Sequence, residues 1–209
     1  RGKLKEAEIS TRKAIELKPN FSEAYSNLGT ILIDFGKFKE AEISTRKAIE
    51  LKPNFADAFY NLGRILNEIG ELQLALNAYL KAIEINPENS NVYSYISGLL
   101  KDSDLSVLDK SKLKSILSTL IEREDMAHQE LFKAFNYIYI DKIKSTLEKL
   151  DSDFILSELF INDKLIIGTL KKIIFSDPKF EELLTRLRRH ICGFIAKDAQ
   201  DIGYIELEF

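Results

Sequence analysis

The chain predicts an all-α fold: a stack of helical hairpins over residues 1–103, then a small helical domain over residues 104–209. Three observations predict it. The stretch Gly2 to Phe35 (GKLKEAEISTRKAIELKPNFSEAYSNLGTILIDF) returns almost letter for letter from Gly36 to Ile69 (GKFKEAEISTRKAIELKPNFADAFYNLGRILNEI), and a divergent third copy runs from Gly70 to about Ser103. A fixed period of 34 residues marks an array of helical hairpins, in which each unit buries its apolar face only against its neighbours. Along the chain, Leu62, Leu66 and Ile69, and then Leu72, Leu76, Tyr79 and Ile83, recur at helical spacing.

Each copy divides into a helix A and a helix B. In the second full helical pair, helix A runs from Ala56 to about Glu68, Gly70 and Glu71 turn the chain, and helix B runs from Leu72 to about Ile85. Pro19, Pro53 and Pro87 end the B helices, because proline lacks a backbone donor and biases the preceding residue away from helix. Asn20 and Asn54 follow at positions suited to capping the next helix. Gly29 and Gly63 on helix A, with Ala7, Ala41 and Ala75 on helix B, stand where two helices must approach closely; Ala14, Ala48 and Ala82 face the next unit. The chain starts inside a repeat, so the first unit is a half repeat, and it reads as an excised piece. Lacking its helix A, that half unit should expose Leu4, Ala7 and Ile15, which invites end-to-end self-association.

Beyond Ser103 the period stops. The polar segment KDSDLSVLDKSK (101–112) reads as a boundary, and amphipathic helices are expected at about 109–122, 127–149, 154–160, 163–175 and 178–198. The last has Phe180, Leu183, Leu184, Leu187, Ile191, Phe194 and Ile195 on one face. The tail Ile202 to Phe209 alternates like a strand, with nothing within the chain to pair with.

The repeat pattern resembles the tetratricopeptide repeat family. Tyr25, Leu28, Gly29 and Leu32, and again Phe59, Leu62, Gly63 and Leu66, fill the family's helix A places, while Ala75, Tyr79, Ala82 and Pro87 fill those of helix B. Thr11 and Thr45 depart at the aromatic place, where looser local packing is expected. The third copy keeps Tyr93, Ile96 and Leu100 but has Ser97 for the glycine, as a capping unit does. The resemblance implies a right-handed solenoid that binds a protein or an extended peptide on its concave face. The second half, through Glu181-Glu182-Leu183-Leu184-Thr185-Arg186-Leu187-Arg188-Arg189, also resembles the segment between such repeats and a methyltransferase domain in some bacterial proteins. That resemblance implies an alternative role as the substrate-recruiting or regulatory part of a larger enzyme.

In arrays of the resembled family, asparagines at the place of Asn27 and Asn61 form a ladder that grips a peptide backbone. An amide offers both donor and acceptor and so can pair with a peptide group of any sequence. Ser26, Thr30, Tyr60 and Arg64 share that inner face, and Tyr95 takes the asparagine's place in the third copy. The bland alternative stands beside it: solvated polar residues, with the asparagines bonding neighbouring helices. Arg64 is the lone cation of this face, amid Glu23, Asp34, Asp57 and Glu68, which argues against a cationic clamp for a peptide's terminal carboxylate.

No other constellation points to chemistry. Arg186, Arg188, Arg189 and His190 read as a solvated helix face, and His190 and Cys192, two residues apart, point to different sides of a helix. Asp102, Asp104 and Asp109 lack the glycine and final glutamate of a calcium loop. Glu6, Glu8, Glu40 and Glu42 alternate with lysines and arginines, as surface ion pairs do. No catalytic residues, metal site or cofactor are therefore expected. A formal charge of −3 carries no footprint for nucleic acid. No run is apolar enough for a membrane span, and one cysteine fits a reducing, cytoplasmic setting.

Overall fold

The computed structural model describes residues 2–148 and 163–172, together with Thr185 in helical geometry. Two compact units divide at Leu108 and Asp109. The expected helices at 154–160 and 178–198, the tail at 202–209 and the basic cluster around Cys192 lie outside the described residues, Thr185 apart.

The first unit holds six helices: α1 (Gly2–Leu17), α2 (Ser22–Asp34), α3 (Phe38–Leu51), α4 (Ala56–Glu68), α5 (Leu72–Ile85) and α6 (Ser90–Asp102). Consecutive helices pack on one another, and the A helices α2, α4 and α6 also touch in series. Within each hairpin the reversal is set by one glycine. Gly36 (φ 71°) and Gly70 (φ 85°) adopt the left-handed conformation that glycine tolerates best. After α2, Gly36 N–H donates to Ile33 O at 2.8 Å and Lys37 N–H to Leu32 O at 2.9 Å; Gly70 and Glu71 repeat the pattern onto Asn67 and Leu66. These paired bonds satisfy carbonyls that the helix end leaves open.

Between hairpins the chain turns differently from expectation. The N-caps of α2 and α4 are Phe21 and Phe55, and neither makes a side-chain capping bond. Asn20 and Asn54 stand one residue too early to cap. Phe21 N–H instead closes a turn onto Lys18 O at 3.1 Å, and the Lys18 and Lys52 ammonium groups lie 4.9 and 4.5 Å from the Phe21 and Phe55 ring centres.

Leu28, Leu32, Ala41 and Ile65 form a buried core, with Ile15, Ile33 and Phe38 packed against it. Ala41, Ala48 and Ala75 are fully buried and Ala82 nearly so, as close helix approach requires. Ile69 departs from its expected core place: it caps α4 and is 43% exposed. Thr45 also corrects expectation. It is fully buried, and a Cβ built on Gly29 would collide with its hydroxyl, so packing here is tight rather than loose. Helix α1 buries no residue completely, whereas the matching places on α3 (Ala41, Thr45, Ala48) are sealed between α2 and α4.

The polar segment after α6 is less of a gap than its composition promises. Its 3-10 turn, Leu105–Val107, buries Leu105, and Leu108 is buried too. Asp104 and Asp109 serve as caps, accepting from the backbone N–H groups of Ser106 and Lys112.

The second unit contains α7 (Lys110–Glu122), a 3-10 turn (His128–Leu131), α8 (Phe132–Glu148) and α9 (Lys164–Lys172). The expected helix at 127–149 thus begins as a 3-10 turn. Leu113, Leu117, Leu120, Leu131, Phe135 and Ile166 are buried. One ionic node ties the helices together: Lys114 Nζ donates to Asp163 Oδ2 at 2.7 Å, Tyr139 donates to the same oxygen at 3.1 Å, and Asp163 Oδ1 accepts from Leu165 N–H at the start of α9.

Two predictions arise here. A Cβ built on Gly63 would stand 2.5 Å from the Tyr79 ring, whereas one on Gly98 meets nothing within 4 Å. Gly98→Ala should therefore stabilise by about 1 kcal/mol through helix propensity. Gly63→Ala should lose that gain to overpacking, which costs about 1–3 kcal/mol; urea midpoints of the two variants compare them directly. The second concerns pH. Burial opposes the charge on Asp163, but the bonds from Lys114 and Tyr139 outweigh it and hold the carboxyl below its usual range. Hydrogen bonding to Asp163 holds the Lys114 ammonium above its usual range. A lowered acid contributes stability above its unfolded pKa of about 3.9, lost as pH falls through the folded value; a raised base contributes below about 10.4, lost as pH rises through its own. Helix content should fall on acidification below about pH 4, and Asp163→Asn should flatten that limb in a circular-dichroism titration.

Candidate functional site

The A helices carry the candidate residues at helical spacing. Asp57, Tyr60, Asn61, Arg64 and Glu68 follow one stripe of α4, and Glu23, Ser26, Asn27, Thr30 and Asp34 follow the matching stripe of α2. The structure separates the two asparagines. Asn27 is exposed and has no hydrogen-bond partner among the described residues. Asn61 is only 6% exposed, and its amide nitrogen donates to Thr30 Oγ1 at 3.0 Å and to Ser26 Oγ at 3.3 Å. Thr30 in turn donates to Ser26 O at 3.3 Å. The cause is position. Asn61 reaches the preceding A helix, α2, whereas Asn27 sits on the first A helix. The donor that the expected ladder would offer a peptide is, at Asn61, spent between repeats.

One period later the same places hold different chemistry. Tyr60, Arg64 and Tyr95 stand where Ser26, Thr30 and Asn61 stood, and Tyr79 stands where Thr45 stood. The Tyr60 and Tyr95 rings meet edge to face at 5.3 Å, and Tyr79 lies 6.4 and 6.2 Å from them. The Arg64 guanidinium lies 5.8 Å from the Tyr60 ring centre and 5.6 Å from that of Tyr95, a placement that the negative faces of the rings favour. Among the described residues Arg64 makes no ion pair. Tyr95 is 40% exposed, Tyr60 and Arg64 are half-buried, and Tyr79 is fully buried.

The electrostatics follow from burial. Burial pushes the Tyr60 phenol up to about 12; the hydrogen bond and charge of Tyr95 add to this, and Arg64 opposes it. Burial also raises Tyr79; among the described residues its hydroxyl has no hydrogen-bond partner, and neither has the buried Thr45 hydroxyl. Such a hydroxyl costs about 1–3 kcal/mol. At the other end of the face, Glu23 is held down to about 2 by its own backbone N–H, then by Lys52 and Ser22; Lys52 Nζ stands 3.1 Å away.

Six of the seven expected site residues thus fall at two successive helix junctions; Asn27 stands apart from both. What sequence reasoning missed is the pair beneath, Thr45 and Tyr79, contributed by the B helices. Their place in the 34-residue register relative to Gly29 and Gly63 was the available signal. Among the described residues no group of three His, Cys, Asp or Glu side chains could hold a metal ion, and no helix is long and apolar enough to cross a membrane.

This arrangement defines a repeat solenoid with a polar and aromatic face on its A helices. Residues 11–43 and 56–89 each match a tetratricopeptide-repeat family model, so the first unit carries tetratricopeptide repeats. Two solved structures share the fold over most of their length. MamA is 20% identical, with 82% of this chain and 89% of that one aligned at a TM-score of 0.55. YrrB, described as a tetratricopeptide repeat protein with an unusual peptide-binding site, is 22% identical over 81% of this chain and 84% of that one, also at 0.55. At these identities the likeness shows the fold alone. No curated protein sequence matches the chain.

Proposed function

We propose that the chain is a non-catalytic scaffold that binds a protein or an extended peptide on the A-helix face, with Tyr60 and Tyr95 as the principal contacts and Arg64, Asn27, Ser26 and Thr30 beside them. One observation carries this reading: two rings and a guanidinium remain partly exposed at the α4–α6 junction, although the preceding junction closes over the same places with hydrogen bonds. Aromatic and arginine side chains supply most binding energy at protein surfaces. The description of YrrB as peptide-binding is in keeping with it. Asn61 enters this reading as a brace between repeats. The alternative, recruitment for a methyltransferase, rests on residues 181–189, which apart from Thr185 lie outside the described set. With a lone cysteine, the chain is read as cytoplasmic.

A peptide-display selection against the full chain tests the scaffold reading. Selected peptides should lose about tenfold or more in affinity on Tyr95→Ala, a hot-spot-sized loss. They should be indifferent to Ile43→Ser on the opposite, B-helix surface, where Ile43 is 72% exposed. Binding that follows Ile43 and ignores Tyr95 would overturn it.

Self-association belongs to the same reading. The incompletely buried side of α1 around Leu4 and Ala7 is the surface through which copies would meet; Ile15, expected there too, packs instead against the core. Light scattering should show the mass rising with concentration, and Leu4→Glu should abolish the rise; a constant monomer mass refutes it.

A further inference from the structure

We propose that the partner segment is basic, and that its cation is read by the Tyr60–Tyr95 pair in the place Arg64 now occupies. This rests on the peptide-binding reading above and names the ligand chemistry.

The first support is the charge of the face. Helix α2 carries Glu23 and Asp34 with no cation, and α4 carries Asp57 and Glu68 against Arg64 alone. The lysines and arginines of the repeats gather instead on the B helices, as Lys3, Lys5, Arg12 and Lys13 do on α1 and Lys39, Arg46 and Lys47 on α3. Glu23 is partnered by Lys52. Asp34, Asp57 and Glu68 are exposed and make no ion pair among the described residues. The tyrosine pair therefore stands between unpaired carboxylates at either end of the α4 stripe.

The second support is the occupant already seated. Arg64 shows that the two rings accept a guanidinium, with its carbon 5.6–5.8 Å from both ring centres. Aromatic faces attract cations more strongly once water is displaced, and fully buried Tyr79 lies 6.2 and 6.4 Å behind the two rings. A ligand arginine or lysine would exchange like for like. The displaced Arg64 has a destination in Glu68, four residues on along the same helix face, where an ion pair forms without moving the backbone.

An acidic ligand would instead use Arg64 as its receptor, and the two ligand chemistries give opposite results when Arg64 is removed. Fluorescence anisotropy with the full chain decides between them. The probes are three labelled, otherwise neutral extended peptides bearing a central arginine, citrulline or glutamate. The arginine peptide should bind about tenfold more tightly than its citrulline isostere, the factor that one desolvated cation–aromatic contact supplies. Arg64→Ala should tighten that binding, Arg64→Gln should do the same, and Tyr95→Ala should remove the preference for arginine over citrulline. Glutamate-peptide binding that is lost in Arg64→Ala would overturn the basic-ligand proposal while leaving peptide binding intact. Equal affinity for arginine and citrulline would do likewise. If none of the three peptides binds, and displayed peptides fail against the same chain, the peptide-binding reading falls and this one with it.

Discussion

The close approach of helices at Gly29 and Gly63 governs the rest of the first unit. With no side chain at these places, the B helix comes against the A helix until residue 45 or 79 occupies the space a Cβ would take. That residue then underlies the contact between successive A helices. Thr45 is short, and the junction above it is closed by Asn61, Ser26 and Thr30. Tyr79 is long and fully buried, and its ring stands among those of Tyr60 and Tyr95. A packing constraint inside the hairpin thereby decides the chemistry of the face outside it.

The surface charges of the B helices have a lesser part. Arg12 pairs with Glu8 at 2.8 Å and reaches Glu40 of the next copy at 3.4 Å, while Arg46 pairs with Glu42 at 2.8 Å. Exposed pairs of this kind contribute about 0–1 kcal/mol each. Cohesion between hairpins rests instead on the buried leucines, alanines and Ile65, which exclude water along the stack. The second unit is built otherwise. Asp163, the residue before α9, is held by Lys114 of α7 and Tyr139 of α8, so three segments converge on one carboxylate.

Repeat period, helix bounds and glycine turns were legible in the sequence because they are local: a proline, a glycine and a helical stripe need no partner to be read. Helices α4 and α5 begin and end where the spacing places them. The caps were less legible. Asn20 and Asn54 have capping chemistry, but the turn closed by Phe21 N–H shifts the helix start by one residue, which only backbone geometry decides. The site was half legible. The register picked out Tyr60, Arg64 and Tyr95, yet the fate of Asn61 depends on how far α2 lies from α4, a distance set by residues elsewhere. Identical residues 34 apart, Asn27 and Asn61, consequently do different work.

That divergence separates scaffold from surface. Leu28, Gly29, Leu32, Ala41 and Ala48 recur unchanged as Leu62, Gly63, Leu66, Ala75 and Ala82. Between them Ser26, Thr30, Thr45 and Asn61 become Tyr60, Arg64, Tyr79 and Tyr95. In the first version all four places are buried or partly buried; in the second Tyr60, Arg64 and Tyr79 are so, and Tyr95 is exposed. A stack held by the unchanged places tolerates either set, since both copies fold into the same hairpin. Stacking therefore does not require the aromatic version. What that version adds is a pair of half-open rings and a cation without a carboxylate, features that cost solvation energy in an unliganded face and regain it against a partner.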